Sequence, residues 1–247
     1  MKKFIYDILV IGTGGTGSYF LKEFSRFLVG QKLSDLNIGK LVLCDGDIVE
    51  EHNLSRQSFI EDDIGSKKAI CLADALNSNF DLHWSCYPQY ITKTTDIVRL
   101  ICEASSCDIH IPVIIGCVDN HGCRLLCEEF FKEQDSCIYF DSANEFSSGE
   151  VVFSYKLNGK QISPLRSEIF PDLKEGDIRN VTELSCEELN EHSPQHIATN
   201  MRAGNILLIA LCGLLQNTKF YPGMTFFSVE NMSEEYMPRR CAEEKEE

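Results

Sequence analysis

Apolar and polar positions change their spacing in a regular rhythm along the first half of the chain. Residues 6–11 form a short apolar run interrupted only by Asp7, which predicts a buried strand. Residues 18–29 place Phe20, Leu21, Phe24, Phe27 and Leu28 on one side at helical spacing. Further strands are predicted over 40–44, 82–87, 113–117 and 137–141, and helices over 67–77 and 124–132. Strands that alternate with helices call for a mostly parallel sheet covered on both faces. The second half differs. A strand is predicted over 150–157, an apolar helix over 198–215 with Thr199 or Asn200 as its cap, and a last strand over 224–230. Between them, residues 158–194 are polar, weakly periodic and hold three of the seven prolines. That stretch is expected to be a mobile connection, because long loops inside compact domains are functional or disordered. Residues 1–235 then form a single domain, with 158–195 as its crossover loop and 236–247 as a charged tail.

The charge balance removes some function classes. The chain has 247 residues, with 23 Lys and Arg against 38 Asp and Glu, a formal charge of −15 at pH 7. A general grip on nucleic acid needs a basic face, so no nucleic-acid partner is expected. No run of about 18 apolar residues occurs, so no membrane span is expected. Asp7 and the glycines that follow argue against reading the first residues as a signal peptide. The twelve cysteines sit mostly in apolar stretches, where a free thiol behaves as a small hydrophobe. No CxxC pair occurs, which removes the usual structural zinc spacing. The expectation is a reduced, cytoplasmic protein without zinc.

Gly12, Gly14 and Gly17 follow the first strand and open the first helix in GxGxxG spacing, with Gly15 beside them. Glycines there allow a tight turn and close approach of phosphates to a helix N-terminus. Asp45, at the end of the second predicted strand, is placed to accept hydrogen bonds from ribose hydroxyls. It also begins Asp45-Gly46-Asp47, which is good turn chemistry. The expected fold class is therefore α/β, Rossmann-like, a mostly parallel sheet with helices on both faces and a C-terminal antiparallel extension. An NAD-dependent oxidoreductase and an ATP-using enzyme both remain open at this point.

The next segment separates them. Asp47, Asn53, Arg56 and Gln57 are followed by Lys68 within Asp63-Ile64-Gly65-Ser66-Lys67-Lys68-Ala69. A triphosphate needs such an array: Arg56 can fork onto phosphate oxygens, Lys68 can add a point charge, and Asn53 and Gln57 can donate. Taken singly, Arg56 also reads as a surface ion pair, Lys68 as an exposed helix residue and Asp119-Asn120 as a turn. Taken in order, the glycine loop, the stretch 45–57, the stretch 63–69 and Cys117-Val118-Asp119-Asn120 resemble the ThiF/MoeB/HesA superfamily, the adenylation domains of ubiquitin-activating-like enzymes. In outline the chain is most similar to ThiF-like proteins of PRTRC-type mobile-element operons.

The resemblance implies ATP- and Mg²⁺-dependent adenylation of the C-terminal glycine of a small β-grasp protein, a ubiquitin-like or sulfur-carrier protein, by a homodimer. By position it implies that Gly12, Gly14, Gly15, Gly17, Asp45, Asp47, Asn53, Arg56, Gln57 and Lys68 surround ATP, and that Asp119 holds Mg²⁺. It also implies that Cys186, the only cysteine between residues 138 and 211, could take over the activated carrier. Its acidic neighbours Glu183, Glu187 and Glu188 oppose thiolate formation, so an incidental cysteine is the competing reading. Many relatives supply an arginine from upstream of the glycine loop, and the eleven residues before Gly12 contain none. A non-catalytic nucleotide-binding scaffold is the corresponding alternative, with the oxidoreductase behind it.

Overall fold

The computed structural model describes residues 3–33, 35–102, 108–171 and 195–241. The first half follows the predicted rhythm: β1 (Phe4–Ile11), α1 (Gly15–Val29), β2 (Ile38–Cys44), α2 (Lys68–Phe80), β3 (Ser85–Tyr87), α3 (Thr94–Ile101), β4 (Ile109–Gly116), α4 (His121–Glu133) and β5 (Cys137–Asn144). Then come β6 (Ser148–Leu157), β7 (Lys160–Gln161), the short α5 (Arg166–Ile169), the long α6 (Ile197–Asn217), β8 (Gly223–Ser228) and β9 (Ser233–Pro238).

All nine described strands join one sheet in the order β3-β2-β1-β4-β5-β6-β8-β9, with β7 on β6. The pairs from β3 to β5 are parallel. The pairs β5–β6, β6–β8 and β8–β9 are antiparallel, which gives the expected C-terminal extension. The strand order reverses direction at β1, between β2 and β4, and ligands bind beyond the carboxyl ends of strands at such a point.

The sheet is buried on both faces, so β1 is apolar apart from the buried Asp7, and its alternate residues serve different cores. Ile8 and Val10 pack with Phe20 and Phe24 of α1, Leu72 of α2 and Leu207 and Leu211 of α6. Leu9 and Ile11 pack with Ile97 of α3 and Cys127 and Phe130 of α4. Helix α1 is held firmly. Phe24 stacks on Phe20 at 5.6 Å and meets the edge of Trp84 at 6.2 Å, and Trp84 Nε1 donates to Ser25 Oγ at 3.0 Å. Gly204 of α6 brings that helix against the α1 backbone: a Cβ there would lie 3.2 Å from Phe20 N and 3.3 Å from Thr16 O. Removing one of these large side chains would cost about 3–5 kcal/mol and loosen the helix that carries the glycine loop. Helix α6 is long and apolar enough to cross a bilayer, yet Ala203, Leu207, Leu211 and Leu214 are fully buried against the sheet and α1.

Several local expectations are corrected. The strand expected over 82–87 is confined to Ser85–Tyr87, and α3 was not anticipated. Residues 158–171 are not the start of an irregular connection, because they contain β7 and α5. The cap of α6 is neither Thr199 nor Asn200. His196 Nδ1 accepts from Ala198 N at 3.1 Å, while Thr199 Oγ1 donates to Phe146 O at 2.7 Å. The strand expected over 224–230 ends at Ser228 and turns into β9, so residues 236–238 are strand rather than tail.

Candidate active site

A cleft of about 520 Å³ opens at the carboxyl ends of β1, β2, β4 and β5. Its floor is the glycine loop. Gly12 has φ +90°, and a Cβ on it would lie 2.5 Å from Cys117 O, so only glycine fits between the first and fourth strand ends. Gly17 does not line the cleft. It lies behind the loop, where a Cβ would fall 1.9 Å from Gly12 O, and lets α1 press onto the turn. Gly14 faces open space, with Gln57 Nε2 as the nearest atom at 3.7 Å. It precedes α1, and no side chain among the described residues caps that helix, so its N-terminus is available to an anion.

Asp45 sits at the end of β2, but both of its oxygens already serve the chain. Oδ2 accepts from Thr13 N at 2.7 Å and Thr13 Oγ1 at 2.9 Å, and Oδ1 accepts from Asp47 N at 2.9 Å. Burial, with the nearby Asp47 charge, raises its pKa from the ordinary value. Asp45 therefore braces the glycine loop, and a ribose hydroxyl would use its remaining lone pairs.

Lys68 is buried at the first position of α2, which excludes the exposed-helix alternative. Its Nζ donates to Asp47 Oδ2 at 3.0 Å, and Tyr90 OH donates to Asp47 Oδ1. Asn53 is buried, and its Oδ1 accepts from Glu50 N at 3.0 Å, which ties down the turn after β2. Arg56 and Gln57 line the cleft from the same segment, and Gln57 Oε1 is buried with no partner among the described residues. Asp119, exposed at the cleft rim after β4, has no hydrogen bond among the described residues, while Asn120 Oδ1 caps α4 through Cys123 N at 2.8 Å. The Asp119 carboxylate is thus free to hold a cation. Among the described residues no group of three or more His, Cys, Asp or Glu is arranged around a metal position. A single carboxylate shared with phosphate oxygens suits Mg²⁺.

Cys117 and Cys44 also line the cleft, yet burial pushes the Cys117 thiol up to about 12 and raises the Cys44 thiol well above its ordinary value. Both are thiols at neutral pH and poor nucleophiles. Cys186 lies outside the described residues.

The structure adds residues that sequence reasoning missed. Arg124 of α4 lines the cleft and is buried, with Nε donating to Asp141 Oδ1 at 3.2 Å and Nη2 to Ser142 O at 2.9 Å. Arg166 of α5 donates from Nε to the other Asp141 oxygen and from Nη1 to Glu150 Oε1. Both carboxylates hold its pKa well up. Asn144 and Gln195 line the β5 end of the cleft. A signal existed for Arg124: it shares a helix face with Cys127 and Phe131, and a charge among buried apolar neighbours needs a partner.

The family model of the ThiF family matches residues 4–247. The chain belongs to the ThiF family. Among curated ThiF relatives, ubiquitin-like modifier-activating enzyme 5 of Oryza sativa subsp. japonica is 28% identical over 134 residues, covering 52% of this chain and 30% of the relative. The enzyme of the same name from Bombyx mori is 29% identical over 152 residues, covering 59% and 36%. The chain thus spans about a third of the length of the curated relatives it matches. Among solved structures, E. coli MccB with AMPCPP and MccA has a TM-score of 0.67 at 15% identity, covering 96% of this chain and 65% of that one. PaaA has a TM-score of 0.66 at 16% identity, with the same coverage. These likenesses establish a shared ThiF fold.

Proposed function

We propose that this ThiF-family chain adenylates the C-terminal carboxylate of a small β-grasp protein, a ubiquitin-like or sulfur-carrier protein, using ATP and Mg²⁺. One observation carries the reading. Four separate stretches of chain converge on one cleft: the glycine loop, the turn from Asp45 to Gln57, Lys68 at the head of α2, and the loop bearing Asp119. A dinucleotide oxidoreductase has no need of three cationic side chains, Arg56, Lys68 and Arg124, around the phosphate position. The relatives named for activating ubiquitin-like modifiers, and MccB solved with ATP, support the same direction.

The chemistry follows from charge. A carboxylate is a poor acyl donor because its leaving group is poor. One carboxylate oxygen attacks the α-phosphorus, the bond to the β-phosphate oxygen breaks, and pyrophosphate departs with that electron pair. Arg56, Lys68 and Arg124 are the groups placed to stabilise phosphate charge in a partly desolvated cleft. Asp119 would hold Mg²⁺, which when bound supplies Lewis-acid stabilisation of the departing pyrophosphate. Gly14 and the α1 N-terminus offer backbone donors. A reduced, cytoplasmic protein is part of the same proposal. The homodimer and a transfer step at Cys186 remain parts of the proposal.

The test is calorimetric binding of Mg-ATP against NADH, in wild type and Lys68→Ala, followed by ATP–pyrophosphate exchange with candidate carriers. Mg-ATP binding that weakens in the variant, with exchange in the presence of a carrier, is the expected result. NADH binding would restore the oxidoreductase, and ATP binding without exchange by any carrier would leave a scaffold.

A further inference from the structure

Gly46 reads in the sequence as the middle of a turn, and the structure gives it a different role. Its φ lies outside the left-handed region, so the backbone there does not call for glycine. The ring of Tyr90 does. A Cβ on Gly46 would lie 2.6 Å from Tyr90 Cγ, Cδ1 and Cδ2, closer than carbon atoms approach, so the ring is seated on the bare glycine. Both residues line the cleft.

Tyr90 stands on the connection from β3 to α3, which is pinned to the end of β2. Asp45 N donates to Tyr87 O at 3.2 Å, and Cys44 Sγ donates to Gln89 O at 3.4 Å. Ile91 is buried with Cys44 and Ile97. Thr92 N and Thr92 Oγ1 donate to Asp96 Oδ2 at 3.1 Å and 3.2 Å, which fixes the turn into α3. The phenol is therefore delivered to the cleft by anchored backbone, and its hydroxyl donates to Asp47 Oδ1. Lys68 Nζ takes the other oxygen, Asp47 Oδ2, at 3.0 Å, while Lys68 N donates to Asp47 O at 3.0 Å.

This division of one carboxylate matters to a phosphate. With both oxygens turned onto the ammonium, Asp47 would close a pair with Lys68 and compete with any incoming anion. With Oδ1 occupied by the phenol, Lys68 is held by Oδ2 alone. An ammonium has three N–H donors, so a single hold leaves others for phosphate oxygens. It also fixes a long side chain that otherwise samples many rotamers.

We propose that Tyr90 is a positioning residue of the triphosphate site, an inference that rests on the adenylation reading: seated on Gly46, it holds Asp47 so that Lys68 is presented to phosphate. Tyr90 acts through Asp47 and Lys68 rather than on the nucleotide itself.

The test is calorimetric binding of Mg-ATP to four full-length chains: wild type, Tyr90→Phe, Lys68→Ala and the double variant, each with a thermal melt. Tyr90→Phe keeps the ring on Gly46 and removes only the hydroxyl. Its Tm should stay close to wild type while its Kd for Mg-ATP rises about three- to tenfold, the worth of one hydrogen bond. In the Lys68→Ala chain the same change should move Kd by less than about twofold, because no ammonium remains to be positioned. Losses that multiply in the double variant would overturn the proposal, since the hydroxyl would then act independently of Lys68. An unchanged Kd in Tyr90→Phe would overturn it as well. Lys68→Ala that binds Mg-ATP like wild type, or a wild type that does not bind it, would instead remove the triphosphate reading beneath the proposal.

Discussion

Lys68 Nζ lies 3.0 Å from Asp47 Oδ2, and both groups belong to the cleft. The buried cation is held by a carboxylate that is one-third exposed, with a side-chain exposure of 31% against 8% for the lysine. A phosphate can therefore share Lys68 without leaving it unpaired in the ligand-free protein. Lys68→Ala and Arg56→Ala should each weaken Mg-ATP binding by about 1.5–3 kcal/mol, the range for hydrogen bonds to charged groups. Asp47→Asn should lower thermal stability more than it changes ATP affinity, because it leaves Lys68 without its carboxylate. Calorimetry beside thermal melting checks all three variants, and unchanged ATP binding in both cation variants would refute the pocket assignment.

Gly14 and Gly17 belong to one sequence pattern but meet different surroundings. Gly17→Ala puts a Cβ against Gly12 O, at 1.9 Å in the present backbone, and should destabilise the fold by about 1–3 kcal/mol. Gly14→Ala has its nearest neighbour at 3.7 Å, so it should melt close to wild type and lose nucleotide affinity instead. Urea titrations of the two variants would test the division, and equal destabilisation would contradict it.

Asp141 lies between two buried guanidiniums, those of Arg124 and Arg166. Asp141→Asn removes the shared counter-charge and should cost about 3–5 kcal/mol. Asp141→Asn combined with Arg124→Met should recover part of that loss, because Arg166 keeps Glu150 while Arg124 is the charge left without a carboxylate. Denaturant unfolding of the single and double variants measures the coupling.

Glu128 of α4 is buried, accepts from Ser167 N at 2.9 Å and from Ser167 Oγ, and has its pKa raised chiefly by burial. Its folded pKa lies above the unfolded value of about 4.3. Its contribution to stability is therefore fully present below the unfolded pKa and is lost as pH rises through the folded one. The stability of wild type minus that of Glu128→Gln should fall as pH rises from about 4 into the neutral range. Urea unfolding at a series of pH values gives this difference directly, and a rise with pH would show the sign to be wrong.

Local pattern carried the first half of the molecule because each signal there is short-range. Apolar runs closed by Gly12 and Asp45 mark strand ends, and Phe20, Leu21, Phe24 and Leu28 mark the buried side of α1. The glycine spacing and the polar array from Asp45 to Lys68 identify loops that meet at one strand edge, since parallel strands separated by helices bring their carboxyl ends together. The pattern failed where order depends on distant partners. β7 exists because β6 offers it an edge, α5 is held by Asp141 and Glu128 rather than by propensity, and β9 exists because β8 offers it an edge.

The sequence by itself determined the α/β rhythm, the family resemblance and the set of loops that line the cleft, because those follow from spacing along the chain. Only the tertiary structure decided how those side chains divide their work. It showed that Asp45 braces Thr13, that Lys68 is shared with Asp47, that Gly17 packs while Gly14 faces the cleft, and that Arg124 joins them. It alone set Tyr90 against Asp47, 43 residues away, with its ring on Gly46. Hydrogen-bond partners, burial and steric room are properties of neighbours in space, and chain order carries no record of them until the fold has closed.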